Sequence, residues 1–229
     1  MKTIVVTILL VMAKLGFSQP IISQSPSDKT EPQTIGFDEK LPTNVLQNMH
    51  TENLTIEIQD AQNKLVANLT LETMKDFQFK VPGNYTVKLT GQSNVINDTK
   101  KHNCAHKDHS KTISFKVLPH QLVFKLDAIS FSNEIVGGRD TKGTSVIVPV
   151  ELKSFSNASL EIPQLKLVSA GVNTTIEGAL SEEKSTLTPG LNYLTYELKG
   201  TASKDTYIMF DIYDLSGRAV SYSYPSIIK

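Results

Sequence analysis

The sequence predicts an all-β protein, two tandem β-sandwiches behind an N-terminal export segment. Three observations carry that expectation. Apolar residues recur with a period of two along most of the chain, and Gly, Pro, Asn and Asp gather between the alternating runs. No apolar stripe of 3.6-residue period persists with caps at both ends, so no helix is expected beyond the export segment. Alternation puts every apolar side chain on one face of a half-buried strand. Strands at roughly 8–12-residue spacing with turn chemistry between them are the pattern of a sandwich.

The first element is a signal peptide over residues 1–18. Lys2 is positive, Ile4 to Met12 is an apolar run, and Gly16-Phe17-Ser18 offers small residues for cleavage before Gln19. The run falls short of the about 20 apolar residues a membrane helix needs, and Lys14 ends it. The mature chain is therefore expected outside the cytoplasm, periplasmic or extracellular, with no transmembrane segment. Residues 19–34 are rich in Ser, Pro and Gln and read as a flexible tether.

A first sandwich is expected over 35–119. Leu54, Ile56 and Ile58 alternate with Thr55, Glu57 and Gln59. After the turn-like Asp60-Ala61-Gln62-Asn63, the residues Leu65, Ala67, Leu69 and Leu71 continue the pattern. Phe77, Phe79 and Val81 precede Pro82-Gly83, and Tyr85, Val87 and Leu89 follow it. That arrangement predicts a hairpin closed by a type II turn, with Pro fixing φ and Gly accepting a positive φ. Ile113, Phe115 and Val117 close the unit, and Pro119 marks the boundary.

A second sandwich is expected over 120–229. Val146, Val148, Val150 and Leu152 share a face, with Pro149 suggesting an edge strand or a bulge. Strands follow at Leu165 to Gly171, Leu191 to Leu198 and Tyr207 to Tyr213. Asp214-Leu215-Ser216-Gly217 reads as a hairpin connection. Val220, Tyr222 and Tyr224 then lie on one face of the last strand, opposite Ala219, Ser221 and Ser223.

Composition narrows the function. The 229 residues are 39% hydrophobic and 7% aromatic, without Trp. Lys plus Arg and Asp plus Glu each number 23; removing Lys2 and Lys14 leaves two fewer cations than anions. There is no basic stripe for nucleic acid. Cys104 is the only cysteine, so packing rather than an intrachain disulfide must hold the domains. Six Asn-x-Ser/Thr sequons occur, at Asn53, Asn68, Asn84, Asn97, Asn157 and Asn173. In a eukaryotic secretory host they would mark surface glycans. The missing disulfides favour instead the reading of Thr-rich strands beside Asn-bearing turns.

Two segments carry a family resemblance. Val81-Pro-Gly-Asn-Tyr-Thr-Val-Lys-Leu89 resembles the penultimate-strand signature of bacterial Ig-like and PKD-like domains. The resemblance implies that Tyr85 packs its ring inward at a corner. Phe210-Asp-Ile-Tyr-Asp-Leu-Ser-Gly-Arg218 resembles a hairpin of secreted Bacteroidetes β-sandwich proteins, including their C-terminal sorting domains. No Pro-Asn-Pro segment precedes it, so the hairpin and a Bacteroidetes-like origin are implied, and the sorting role is not. Leu187 to Tyr224 is also distantly similar to exported Ig-like accessory proteins of conjugative elements.

Candidate chemistry concentrates in one loop. His102, Cys104, His106 and His109 fall within eight residues between two strands, and imidazole with thiolate suits Zn²⁺ or copper. Lys100, Lys101, Lys107 and Lys111 oppose a cation there, and the alternative is a solvated polar loop. No Gly-x-Ser-x-Gly elbow, His-Glu-x-x-His helix or phosphate-cradling loop occurs. Gly137-Gly138-Arg139-Asp140 reads as a loop, and Asp211 and Asp214 are the carboxylates a glycosidase pair would need. The expectation is an exported, non-enzymatic binding, adhesion or structural module without a cofactor. It would act through sandwich edges and loops, above all Gln92 to Ser110, on another envelope or extracellular protein or a polysaccharide. The alternatives are a periplasmic metal-binding protein and an accessory factor of an envelope conjugation or secretion apparatus.

Overall fold

Buried apolar side chains fall into two clusters, one from residues 35–117 and one from residues 122–228, so the chain has two lobes. The computed structural model describes residues 31–46, 54–91, 109–182 and 184–229. The signal-peptide assignment, most of the tether, and sequons Asn53 and Asn97 lie outside the described residues. The fold is all-β. No described helix is long and apolar enough to cross a membrane.

The first lobe holds β1 (Gln33–Ile35), β2 (Thr55–Asp60), β3 (Leu65–Leu69), β4 (Gly83–Gly91) and β5 (His109–Val117). They form one sheet in the order β1-β5-β4-β2-β3, antiparallel except for the parallel β1–β5 pair. Gln33 and Thr34, assigned to the tether from sequence, already belong to β1. Ile56, Ile58, Val87, Leu89, Ile113 and Phe115 point to one face, as their alternation predicts. On β3 the alternation weakens, since the register shifts between Ile58 and Gln59 and leaves Leu65 54% exposed.

The expected hairpin across Pro82-Gly83 does not form. β4 pairs with β2 and β5, and Phe77–Phe79 crosses to the opposite layer. There the Asp38 and Leu41 amides donate to Phe79 and Phe77 carbonyls, and Phe79 N–H returns to Glu39. This short ladder lays Leu41, Phe79, Val45 and Met74 over the sheet as the second layer. Alternation encodes which face a residue points to, not which strand it joins. Tyr85 turns inward as the resemblance implies. Its ring lies 4.9 Å from Phe79, and its hydroxyl donates to the Val81 carbonyl at 2.8 Å. Burial, then the nearby Asp60 carboxylate, pushes the Tyr85 hydroxyl pKa up.

Helical turns correct the expectation of none. Helix α1 (Leu71–Met74) is one turn, held by a capping box between Thr70 and Thr73. A 3₁₀ turn at Thr43–Leu46 places Val45 in the core, and a second lies at Leu126–Ala128. None is long enough to print a 3.6-residue stripe on the sequence.

In the second lobe the chain forms β6 (His120–Phe124), β7 (Ser130–Phe131), β8 (Ser145–Ser154), β9 (Leu160–Ile162) and β10 (Leu167–Ala170). It continues as β11 (Glu177–Leu180), β12 (Ser185–Leu187), β13 (Gly190–Lys199), β14 (Met209–Tyr213) and β15 (Ala219–Ser223). The main sheet runs β15-β14-β10-β11-β13-β8-β6, with β7 also on β8, and β9–β12 form a separate pair. The sheet folds over on itself: Phe131 of β7 meets Phe210 of β14 at 5.6 Å and Tyr224 at 5.0 Å. Val146, Val148, Val150 and Leu152 line the interior with Leu194, Tyr196 and Leu198 of β13. The last hairpin and its alternation match the sequence, with Gly217 at φ +79°.

Pro149 sits in a central strand, between β13 and β6–β7, not at an edge. The position tolerates proline because the neighbour is broken there. Phe124 pairs with Val150 and Ser130 with Ile147, and the 3₁₀ turn at Leu126–Ala128 bridges the gap between them. Lys125 N–H donates to the Pro149 carbonyl at 2.9 Å, so the nitrogen side of Pro149 faces this interruption.

Candidate functional site

The most specific polar construction joins the two lobes. Only Leu118 and Pro119 separate β5 from β6, so the lobes follow one another closely. Directly after β1 the chain turns through Gly36-Phe37-Asp38-Glu39, with Glu39 accepting from the Gly36 amide at 2.8 Å and Asp38 at φ +62°. Gly36 is needed here because a Cβ would sit 2.8 Å from Cβ of Gln121 in the second lobe. Phe37 meets Phe155 edge-on at 5.6 Å.

Charges lock the seam on both sides. Arg218 places Nη1 and Nη2 against the two oxygens of Glu39, the Nη2 bond being 2.7 Å. The same guanidinium reaches Asp214 Oδ2 at 3.1 Å and Ser216 Oγ at 2.9 Å. Asp214 Oδ1 meanwhile accepts from the Ser216 and Arg218 amides, which fixes the hairpin that carries the arginine. A planar fork matching both carboxylate oxygens is the strong form of an ion pair. Glu39, ahead of Asp214, holds the guanidinium pKa above its ordinary value.

The second lock is Asp38. It accepts from Lys80 of its own lobe and, through Oδ2 at 3.1 Å, from Lys153 on β8. The Lys80 bond, helped by Lys153, holds the Asp38 carboxyl below the usual carboxylate range despite burial. Spacing hides both locks in the sequence, since 179 positions separate Glu39 from Arg218 and 115 separate Asp38 from Lys153. The Asp-Leu-Ser-Gly-Arg hairpin is recognisable as a turn, while its partner across the seam is not.

Of the predicted metal ligands, His102, Cys104 and His106 lie outside the described residues. The backbone of His109 opens β5 opposite Gly91, and its side chain is not described. Among the described residues no group of three or more His, Cys, Asp or Glu side chains gathers for a metal. The β4–β5 register brings Gly91 and His109 side by side, so the connection over 92–108 leaves and returns at one end of the first lobe. Asp211 accepts from Ser221 Oγ at 2.6 Å, and Asp214 is committed to its turn and to Arg218. These two carboxylates serve structural bonds. Gly138 takes φ +73° in its loop, as read from sequence.

Two open grooves mark the second lobe. One, about 400 Å³, is mainly polar and runs beside β12 and β13, where Tyr193 is 62% exposed. The other, about 450 Å³, is mainly apolar and lies at the start of β14, beside Tyr207 and Met209. The four described sequon residues, Asn68, Asn84, Asn157 and Asn173, are all exposed. No family model matches the chain, and no curated protein matches it.

Proposed function

We propose that this protein is an exported, non-enzymatic binding or structural module of the bacterial Ig-like or PKD-like kind. Its two lobes would act as one stiff body presenting edges and end loops to another envelope or extracellular protein. The observation that carries the reading is the clasped seam. A two-residue connection, an aromatic contact and two ion-pair locks favour a fixed angle between lobes, which suits spacing and presentation. The Tyr85 hydroxyl returning to the Val81 carbonyl supports the Ig-like comparison, because Ig folds use a tyrosine corner of this type.

The connection over 92–108 is the first candidate for the contact surface. Its 17 residues far exceed the about two to five of an ordinary hairpin connection. Replacing it by a two-residue turn tests the reading together with the rigid seam. Residual dipolar couplings should report one alignment tensor for both lobes in the native and shortened proteins. Crosslinking in the producing cell should recover a partner only with the native loop. Independent tensors for the two lobes would contradict a rigid presenter, and an unchanged crosslinked partner would move the contact elsewhere.

A further inference from the structure

Alternation along β13 turns Tyr196 and Leu198 inward and leaves Leu191 and Tyr193 on the outer face, 56% and 62% exposed. Beside them Ser181, Glu182 and β12 form a wall, and the space between is the polar groove of about 400 Å³. That volume lies within the roughly 300–1,000 Å³ of small-molecule sites. Its polar lining comes from Ser181, Glu182, Ser185, Thr186 and Thr195, with the Tyr193 ring beside them. Among the described residues, Tyr193 Oη and the Glu182 carboxylate have no hydrogen-bond or ion-pair partner.

Both walls are pinned. Gln164 accepts from the Leu180 amide at 3.1 Å and donates to the Glu182 carbonyl at 2.7 Å. Ser181 N–H donates to the Thr195 carbonyl at 2.9 Å. Asn192 accepts from the Thr188 amide and donates to the Thr188 and Gly190 carbonyls, fixing the turn before β13. A groove held by its own side chains loses little freedom on binding.

Its chemistry selects among ligand classes. Among the described residues no Lys or Arg lines the groove, which disfavours phosphate and other anions. Among the described residues a single carboxylate among hydroxyls is a weak set for a divalent cation, which prefers six or more oxygens with several charges. The lining is too polar for a lipid chain or an apolar peptide anchor. An exposed ring beside hydroxyls and one strong acceptor fits a neutral polyhydroxylated ligand. We infer that the groove between β12 and β13 binds a neutral saccharide. Its C–H face would stack on Tyr193 and its hydroxyls would be shared among Glu182, Thr186 and Thr195. This site shares no residue with the seam or the 92–108 connection, so it does not depend on the rim-and-loop reading.

The test is a nuclear magnetic resonance titration of the full mature chain with neutral glucan, mannan and chitin oligosaccharides. Expected are saturable shifts of the Ser181, Thr186 and Thr195 amides with at least one of them. Tyr193→Ala should weaken that affinity about tenfold, the loss of one stacking platform, with the melting temperature unchanged. Tyr207→Ala, which removes an even more exposed tyrosine elsewhere in the lobe, should leave it intact. Absence of saturable shifts from all three families at millimolar ligand overturns the inference. So does binding that survives Tyr193→Ala or is lost equally in Tyr207→Ala.

Discussion

The two lobes bury their cores by different means. The second wraps one wide sheet until its margins touch, so strands of the same sheet face one another across the core. The first has a five-stranded sheet whose covering layer is one short ladder, a 3₁₀ turn and a single helical turn. Its cover therefore rests on a few large side chains. Phe79 is the hub, with Phe77, Tyr85 and Phe115 at 5.1, 4.9 and 5.9 Å. The difference implies that the first lobe is the more fragile to a single truncation.

Phe79→Ala should have the largest effect, about 3–5 kcal/mol from the lost ring and the cavity it leaves. The expected calorimetric trace splits, with the first lobe melting early and the second near its native temperature. A single shifted transition would instead mean that the seam couples the lobes strongly enough to override the local loss.

The seam itself comes next. A double-mutant cycle of Glu39→Gln and Arg218→Gln should give a coupling of about 1 kcal/mol, since the guanidinium is partly exposed and water screens the pair. Acid adds a second readout. The Asp38 carboxyl is held below the about 3.9 of a free aspartate, so its contribution is complete above that value. It is lost as pH falls through the lower folded value. Asp38→Asn should lower stability at neutral pH by roughly the amount that acid removes from the native protein, and so flatten that acid limb of the profile. An acid limb identical in Asp38→Asn would remove this residue from the coupling.

The smallest effect is expected deep in the second lobe. Tyr196 is fully buried, and its hydroxyl has no hydrogen-bond partner among the described residues. Burial raises its pKa far above the ordinary tyrosine value. Tyr196→Phe keeps the ring and removes the polar atom, so stability should hold or rise by up to about 1 kcal/mol. A clear loss in urea denaturation would show that the hydroxyl is engaged.

Strand faces were the most legible part of the fold. Ile56 with Ile58, Val146 through Leu152, and the Val220–Tyr222 face all point where their alternation places them, because a period of two is a local property. Partner choice is not local. Phe77–Val81 has good strand grammar yet joins the Asp38–Leu41 segment, a pairing that depends on which surface is left uncovered. Pro149 misleads for a related reason. Its missing donor matters only on the side where the neighbouring strand is interrupted, and no sequence window around it contains that fact. At the seam, the Asp214 turn could be read from its own five residues, whereas Glu39 and Asp38 had no visible partners. The His102 to His109 loop, the most conspicuous constellation in the sequence, lies largely outside the described residues and leaves the metal-binding alternative as an expectation.

The parallel pairing of β1 with β5 has a mechanical consequence. Chain entering β1 and chain leaving β5 toward the second lobe depart from opposite ends of two strands that run the same way. A pull between the N-terminal segment and the second lobe therefore slides one strand along the other. Gln33, Thr34 and Ile35 would share the load together instead of peeling away one after another. Traction applied in that direction meets the first lobe in its stiffer geometry.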